Sequence, residues 1–289
     1  MAVRIVTDST NYLPVEQLRA FGLKAVPLYV HDGDEMCPET TIDVAAFYRR
    51  LEDTRTLPTS SQPSPDALAT AFREAGEESG EGGAVLGVFL SSLMSGTVQA
   101  ADLAAAMVRE ERPDAQIVVL DSESNCMQEG YAVLSAAEAA AAGAGIEECV
   151  EAARATIART RFLFSPTSLE YLRRGGRISG AASLLGSLLQ VAPILTVENG
   201  ETNVVAKVRT HAKAMAEMGA RMQADIERCG LRRAVVHAIS EISIAEGFAR
   251  EIVEPIVGEP VDVIPIGPVI GLHVGPAAGV VYETIEPLR

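Results

Sequence analysis

The run Ala84-Val85-Leu86-Gly87-Val88-Phe89-Leu90-Ser91-Ser92-Leu93-Met94-Ser95-Gly96-Thr97 passes from a wholly apolar segment to a hydroxyl-rich one. Its first seven residues are short, apolar and β-branched enough to read as a buried parallel strand. Val98 to Glu110 follows, rich in Ala, Leu, Met, Gln and Arg, all compatible with a helix. Residues 91–97 are therefore a strand-to-helix turn carrying four hydroxyls and a glycine. A helix start presents unpaired N–H groups and a partial positive charge, so anions settle there. Ser95 or Thr97 acting only as a cap for its own helix is the alternative use of the same hydroxyls.

Working outward, Val3 to Thr7 reads as a strand that ends on Asp8-Ser9-Thr10. No Gly-x-Gly-x-x-Gly follows it, which excludes the dinucleotide-binding turn. Asp8 is expected to hold this turn rather than to do chemistry. Pro14 opens a short helix and Gly22 closes it, Val26 to Val30 is a strand, and Asp32-Gly33 marks a turn in which His31 has no assigned role. A helix from Asp43 to about Glu52 places Val44, Phe47, Tyr48 and Leu51 on one face. The segment Leu57-Pro58-Thr59-Ser60-Ser61-Gln62-Pro63-Ser64-Pro65 is an extended loop, uncharged and held by three prolines, leading into the helix that starts at Pro65. Downstream, Gln116 to Leu120 is a strand ending on Asp121-Ser122, followed by Ala-rich helices over Met127–Ala142 and Ile146–Arg159. Strand and helix alternate throughout, which predicts a parallel sheet covered on both faces.

After Arg161–Phe164 the pattern changes. A short basic helix over 167–174 leads into Gly175-Gly176-Arg177-Ile178-Ser179-Gly180, either a glycine turn or a phosphate loop lacking the usual lysine. Leu184–Val191 reads as an apolar helix. Asn199-Gly200 between two β-rich runs is a hairpin signal. A long helix from His211 to Arg228, a strand over Arg233–Ile239, a helix over Ile244–Val257 and short strands over Val261–Ile266, Val269–His273 and Val280–Thr284 complete the chain. The fold class expected is α/β with two domains: a parallel α/β sandwich over 1–160 and an α+β domain with a mainly antiparallel sheet over 161–289.

The 289 residues are 48% hydrophobic and 22% charged, enough for a sizeable core, and aromatics make up only 4%. A net charge of −15 argues against nucleic acid, whose phosphates need a basic face, and against anionic membrane surfaces. The four cysteines have no Cys-x-x-Cys pairing and no histidine at ligand spacing, so neither a disulfide framework nor a metal site is expected. No apolar run approaches the roughly 20 residues of a membrane span, and the N-terminus leaves no room for a signal segment. A cytoplasmic protein is expected.

Seven stretches together resemble the DegV family: Val-Thr-Asp-Ser-Thr at 6–10, Pro-Thr-Ser-Ser-Gln-Pro at 58–63, Ser-Ser-Leu-Met-Ser-Gly-Thr at 91–97, Leu-Asp-Ser at 120–122, Leu-Arg-Arg-Gly-Gly-Arg-Ile at 172–178, Lys-Val-Arg-Thr at 207–210 and Gly-Pro-Val-Ile-Gly-Leu-His-Val-Gly-Pro at 267–276. The resemblance implies a two-domain protein holding one long-chain fatty acid, such as palmitate, stearate or oleate, in a tunnel between the domains. It also implies presentation of the carboxylate to a separate fatty acid kinase, with no cofactor and no catalytic residue in this chain. Carried over by position, the ligand-binding residues are Thr59, Ser60 and Ser61 of the proline loop, Ser91, Ser92, Ser95 and Gly96 of the turn, and His273 at the head-group end. Arg209 falls at the family's basic position near the pocket mouth, linked to kinase docking or phosphotransfer. The motif leaves open which of Ser91 and Ser92 faces the carboxylate. Val98, where an aromatic is common, and the glycine-poor Pro276-Ala277-Ala278-Gly279 depart from the family pattern. The rival from another class is a serine hydrolase with Ser91 or Ser92 as nucleophile, His273 as base and Asp8 or Asp121 as orienter, although no Gly-x-Ser-x-Gly elbow is present. A kinase or phosphatase acting through Gly175–Arg177 would call for a metal site that no clustered carboxylates suggest.

Overall fold

The computed structural model describes residues 2–53, 57–184 and 191–288, which divide into two compact units. One comprises residues 1–30, 36–40 and 60–157, the other 31–35, 41–59 and 158–289. The changeover near 157 is close to the boundary expected at 160, and 31–35 and 41–59 group with the second unit. The physical reason is side-chain contact: the Tyr48 hydroxyl reaches the carbonyls of Ile266 (2.9 Å) and Gly267 (3.0 Å).

The strands are β1 (Val3–Asp8), β2 (Lys24–Val26), β3 (Tyr29–Asp32), β4 (Glu35–Pro38), β5 (Thr59–Ser61), β6 (Ala84–Phe89), β7 (Gln116–Asp121), β8 (Thr160–Pro166), β9 (Ala192–Glu198), β10 (Glu201–Val208), β11 (Arg233–Ile239), β12 (Val263–Pro265) and β13 (Ala277–Glu283). The helices are α1 (Val15–Ala20), α2 (Val44–Asp53), α3 (Pro65–Ser79), α4 (Thr97–Glu111), α5 (Cys126–Ala141), α6 (Ile146–Arg159), α7 (Glu170–Arg174), α8 (His211–Cys229), α9 (Ile242–Phe248), α10 (Glu254–Val257) and α11 (Pro268–Val274).

In the first unit β2, β1, β6 and β7 form a parallel sheet in that order. All six residues of β6 are buried, as its unbroken apolar run predicts. Val6, Val85 and Phe89 pack with Leu68, Phe72, Ala101 and Ala104 of α3 and α4. Alanine on α4 lets it lie close to α3 and the sheet, which is how so few aromatics suffice for this core. Ser64 caps α3 by accepting from the Ala67 N–H, with Pro65 in the first turn.

The second unit carries a six-stranded sheet in the order β10-β9-β8-β13-β11-β12. Every pairing in it is antiparallel except β11 with β12. Asn199 and Gly200 both take left-handed φ values, 54° and 80°, and close the expected hairpin. Met218 and Met222 of α8 pack with Leu163, Ile194, Val236 and Phe248 in its core. The helix expected over Ile244–Val257 contains a π-turn at Ala249–Val253. Pro255, just beyond, has no N–H and would crowd the preceding turn of a regular helix, which the wider turn relieves. The strand expected over Val269–His273 is corrected to helix α11. The apolar helix expected over Leu184–Val191 falls largely outside the described residues.

Candidate functional site

Sheet order 2-1-6-7 reverses direction between β1 and β6. Ligands in open α/β sheets gather beyond the carboxyl ends of strands at such a reversal. The chain that leaves β1 there is Ser9-Thr10, and the chain that leaves β6 is the turn over residues 91–97. Asp8 ties the two together. It is fully buried and accepts from the Thr10 N–H (2.8 Å), the Thr10 hydroxyl (2.6 Å) and the Leu90 N–H (2.9 Å). Burial pushes its carboxyl above the usual range, and these donors pull the other way. Asp8 thus holds the turn, as its position at the strand end predicts.

Ser91 is buried. Its N–H donates to the Ser124 carbonyl (2.7 Å), its carbonyl accepts from the N–H groups of Met94 and Ser95 (3.0 Å each), and its hydroxyl accepts from the Leu93 N–H (3.2 Å). Ser92 is exposed, and its N–H donates to Asp121 Oδ2 (3.2 Å). Ser95 accepts from the Thr97 N–H (3.3 Å) and lies 2.9 Å from the Thr97 hydroxyl, a local turn ahead of α4, whose N-cap position is Gly96 and carries no side-chain cap. Gly96 has an ordinary φ of −77°, and its missing side chain gives room to a neighbour. A Cβ there would stand 3.0 Å from Gln62 Nε2. The proline-flanked loop and the turn, the two hydroxyl-rich segments of the sequence, therefore meet at Gln62 and Gly96, with half-buried Ser60 and Ser61 just ahead on β5.

One group at this end of the sheet was not foreseen. Glu129, on α5, is fully buried. Its Oε2 lies 3.0 Å from the Thr10 hydroxyl and its Oε1 lies 3.3 Å from the Thr7 hydroxyl. Thr10 has one hydroxyl proton and two carboxyl partners, an arrangement that favours a proton on one of the two carboxyls. Burial, then the neighbouring Asp8 charge, push Glu129 well above the usual carboxylate range, which favours its protonated form. Nearby Glu39, buried as well, accepts from the Ser9 hydroxyl, and Ser9 Oγ accepts from the Leu28 N–H (3.0 Å).

In the second unit His273 sits in the last turn of α11, half-buried. Burial and then the Arg177 charge lower its pKa to about 4, so it is neutral at pH 7. A Cβ at Gly175 would collide with His273 Nδ1, so the glycine loop is built to seat this imidazole. A Cβ at Gly271 would collide with the Tyr48 hydroxyl. The glycines of 267–275 thus let α11 lie against neighbouring side chains. Gly271→Ala is expected to cost about 1–3 kcal/mol by overpacking, while Gly271→Ala combined with Tyr48→Ala recovers part of that loss. Urea titrations of the two single variants and the double variant check this through the non-additivity. Thr59 and Arg209 are exposed, and Arg209 stands between β10 and the Thr210 cap of α8.

The acids that a hydrolase would need are engaged elsewhere. Asp8 accepts from backbone N–H groups and a threonine, and Asp121 accepts from the N–H groups of Glu123 (2.8 Å) and Ser92. Neither is seen orienting a histidine among the described contacts. Among the described residues no group of three or more His, Cys, Asp or Glu has the geometry to hold a metal ion, and no helix is long and apolar enough to cross a membrane. All four cysteines are free thiols.

A family model described as an uncharacterised protein of the DegV family matches residues 2–284. The chain belongs to the DegV family. A DegV domain-containing protein of Clostridium acetobutylicum is 42% identical over 290 residues, covering 100% of both chains. Among solved structures, a fatty-acid-binding DegV protein of Thermus thermophilus superposes with a TM-score of 0.88 at 31% identity, covering 98% of this chain and 100% of the other. A stearic-acid-binding protein of Eubacterium ventriosum gives 0.87 at 25% identity, with 98% of each chain covered. The two-unit arrangement of parallel and antiparallel sheets is thus the DegV fold. The DegV motifs at 6–10, 58–63, 91–97 and 120–122 cluster at one end of the first sheet. Those at 172–178 and 267–276 meet where Gly175 contacts His273.

Proposed function

We infer that this DegV chain binds a long-chain fatty acid such as palmitate, stearate or oleate and presents its carboxylate to a fatty acid kinase for acyl-phosphate formation. The observation that carries this reading is the meeting of the two hydroxyl-rich loops at Gln62 and Gly96, beyond the carboxyl ends of β1 and β6. An ionised carboxylate taken out of water without partners costs several kcal/mol. Hydrogen bonds to a charged group contribute about 1.5–3 kcal/mol each, so a few hydroxyl and N–H donors offset that cost without a lysine. The acyl chain adds about 0.8 kcal/mol per buried methylene, on the order of 11 kcal/mol for roughly fourteen of them. Tail burial supplies affinity, and the turn supplies orientation. In the second unit, His273 beside the Arg177 charge suits an anionic group, and exposed Arg209 suits an acidic or phosphorylated partner.

Protein purified from cells is expected to release long-chain fatty acid on denaturation, read by mass spectrometry. A ligand-free protein that also fails to bind added palmitate or oleate overturns the reading. Ser92→Ala with Thr59→Ala is expected to slow acyl-phosphate formation by a supplied kinase more than it weakens palmitate binding. Equal losses would contradict the division between tail and head.

A further inference from the structure

Glu129 stands where the two strand-end turns of the first unit are joined, and fatty-acid binding as described so far does not use it. It lies in the first turns of α5, whose residues Cys126 to Ala137 are all buried. A Cβ on the adjacent Gly130 would stand 2.5 Å from the Asn11 carbonyl oxygen, so α5 is seated directly on the 3-10 turn Ser9–Asn11. From there Glu129 Oε2 lies 3.0 Å from the Thr10 hydroxyl, which in turn lies 2.6 Å from Asp8 Oδ1. Asp8 Oδ2 accepts from the N–H of Leu90 (2.9 Å), the residue just ahead of the 91–97 turn. A protonated Glu129 makes this one directed chain: the acid donates to the Thr10 oxygen, the Thr10 hydroxyl donates to Asp8, and Asp8 holds Leu90. The Ser91 N–H, donating to the Ser124 carbonyl two residues before α5, ties the same turn to the same helix.

Ionisation works against that order. An anionic Glu129 competes with Asp8 for the Thr10 proton and sets a second negative charge beside the first in a buried site. The charges that act on Glu129 are those of Asp8 on β1 and then Glu39 on the 3-10 turn Glu39–Thr41, both acids. The strand β6, which also packs on α5, carries no titratable residue. On its own helix the Cys126 thiol is pushed up by burial and then by Glu129 itself, and stays protonated.

We propose that Glu129 is a positioning residue of the head-group turn: its proton keeps the Thr10–Asp8–Leu90 chain ordered, and losing that proton loosens the turn's hold on a fatty-acid carboxylate. This rests on the fatty-acid reading above. Linkage is reciprocal, so a carboxylate that settles on the ordered turn raises the proton affinity of Glu129. Binding and protonation favour one another through Thr10 and Asp8 rather than by contact.

The test is the pH profile of palmitate affinity from pH 6.5 to 9, a range over which the ligand carboxylate is already ionised. Circular dichroism at each pH keeps unfolding out of the comparison. Wild-type affinity is expected to fall by about tenfold or more across this range, and that of Glu129→Gln by less than about threefold. Thr10→Val cuts the chain in its middle; it is expected to flatten the profile in the same way and stands in if the glutamine variant fails to fold. Calorimetry of palmitate binding at pH 8 in phosphate and in Tris, whose ionisation heats differ, should show more proton uptake by the wild type than by Glu129→Gln. A residue with only a structural role would shift affinity at every pH alike. Equal pH slopes in wild type and variants, or equal proton uptake, overturn the proposal and leave fatty-acid binding intact. A wild-type protein that binds palmitate at no pH overturns the lipid reading itself.

Discussion

Asp8→Ala is expected to destabilise the protein by on the order of 3 kcal/mol. The substitution leaves the N–H groups of Thr10 and Leu90 facing a buried void, and each unsatisfied buried donor costs about 1–3 kcal/mol. One term offsets part of this: removing the Asp8 charge relieves Glu129, whose carboxyl that charge disfavours as an anion. For a chain of this size the net loss corresponds to a melting temperature lower by roughly 5–10 °C. Asp8→Asn separates the contributions. Its remaining oxygen can still accept from Thr10, but its NH2 then faces the Leu90 N–H, donor against donor, so the turn after β6 loosens while the turn after β1 holds. Hydrogen exchange at Leu90 reads this directly. Fast exchange at Leu90 with Thr10 still protected is the expected result in Asp8→Asn, and unchanged protection at Leu90 would refute the role of Asp8 as the tie between the two strand ends. Palmitate binding should fall with that protection, because Asp8 ties the start of the turn bearing Ser91 and Ser92 to the end of β1, while the bonds to Ser124 and Asp121 hold its other side.

That tie was legible in the sequence only in outline. The apolar run before Ser91 and the polar ending of Val3–Thr7 announce two strand ends, and the alternation of elements announces a parallel sheet. Adjacency of those two strands is a long-range fact that no local pattern carries. The same applies to Gln62 and Gly96, since a glycine kept for a neighbour's approach looks like any other helix-start glycine. The segment over 269–273 reads as a strand in sequence because α11, at seven residues, is too short for periodicity to separate strand from helix. The overlooked signal was the pair of Pro268 just inside the start and Gly275 just past the end, the asymmetry of a helix. Tyr48 read as one of four apolar-face residues on α2, yet its hydroxyl is what brings that helix to the second unit. Glu129 resembles an ordinary surface acid in an alanine-rich helix, and only its burial and partner geometry distinguish it.

Glu129 carries the second large expectation, a pH dependence of stability that Glu129→Gln abolishes. A carboxyl whose pKa is raised by folding binds its proton more tightly in the native state than in the unfolded chain. Between the unfolded value near 4.5 and the raised native value, the native state therefore holds more protons, and stability falls as pH rises, by up to about 1.4 kcal/mol per pH unit for one proton. The groups facing Glu129 are Asp8, Glu39 and the Cys126 thiol; burial pushes the thiol well above 9, so it stays protonated through this range. Two buried histidines act with the opposite sign. His237 and His273 are both lowered to about 4, so they favour the native state increasingly as pH rises from 4 to 6.5 and are silent above that. The histidine contribution should accordingly be complete by about pH 6.5, and above it the wild-type profile should decline for as long as Glu129 keeps its proton in the native state. Glutamine reproduces the neutral acid: it has the same shape, an oxygen for the Thr7 hydroxyl and an NH2 to donate to the Thr10 oxygen. Urea midpoints of Glu129→Gln should match the wild type at pH 5 and exceed it at pH 9, flattening the alkaline limb while leaving the acid limb in place. Parallel profiles for the two proteins would mean that Glu129 ionises freely in the folded state.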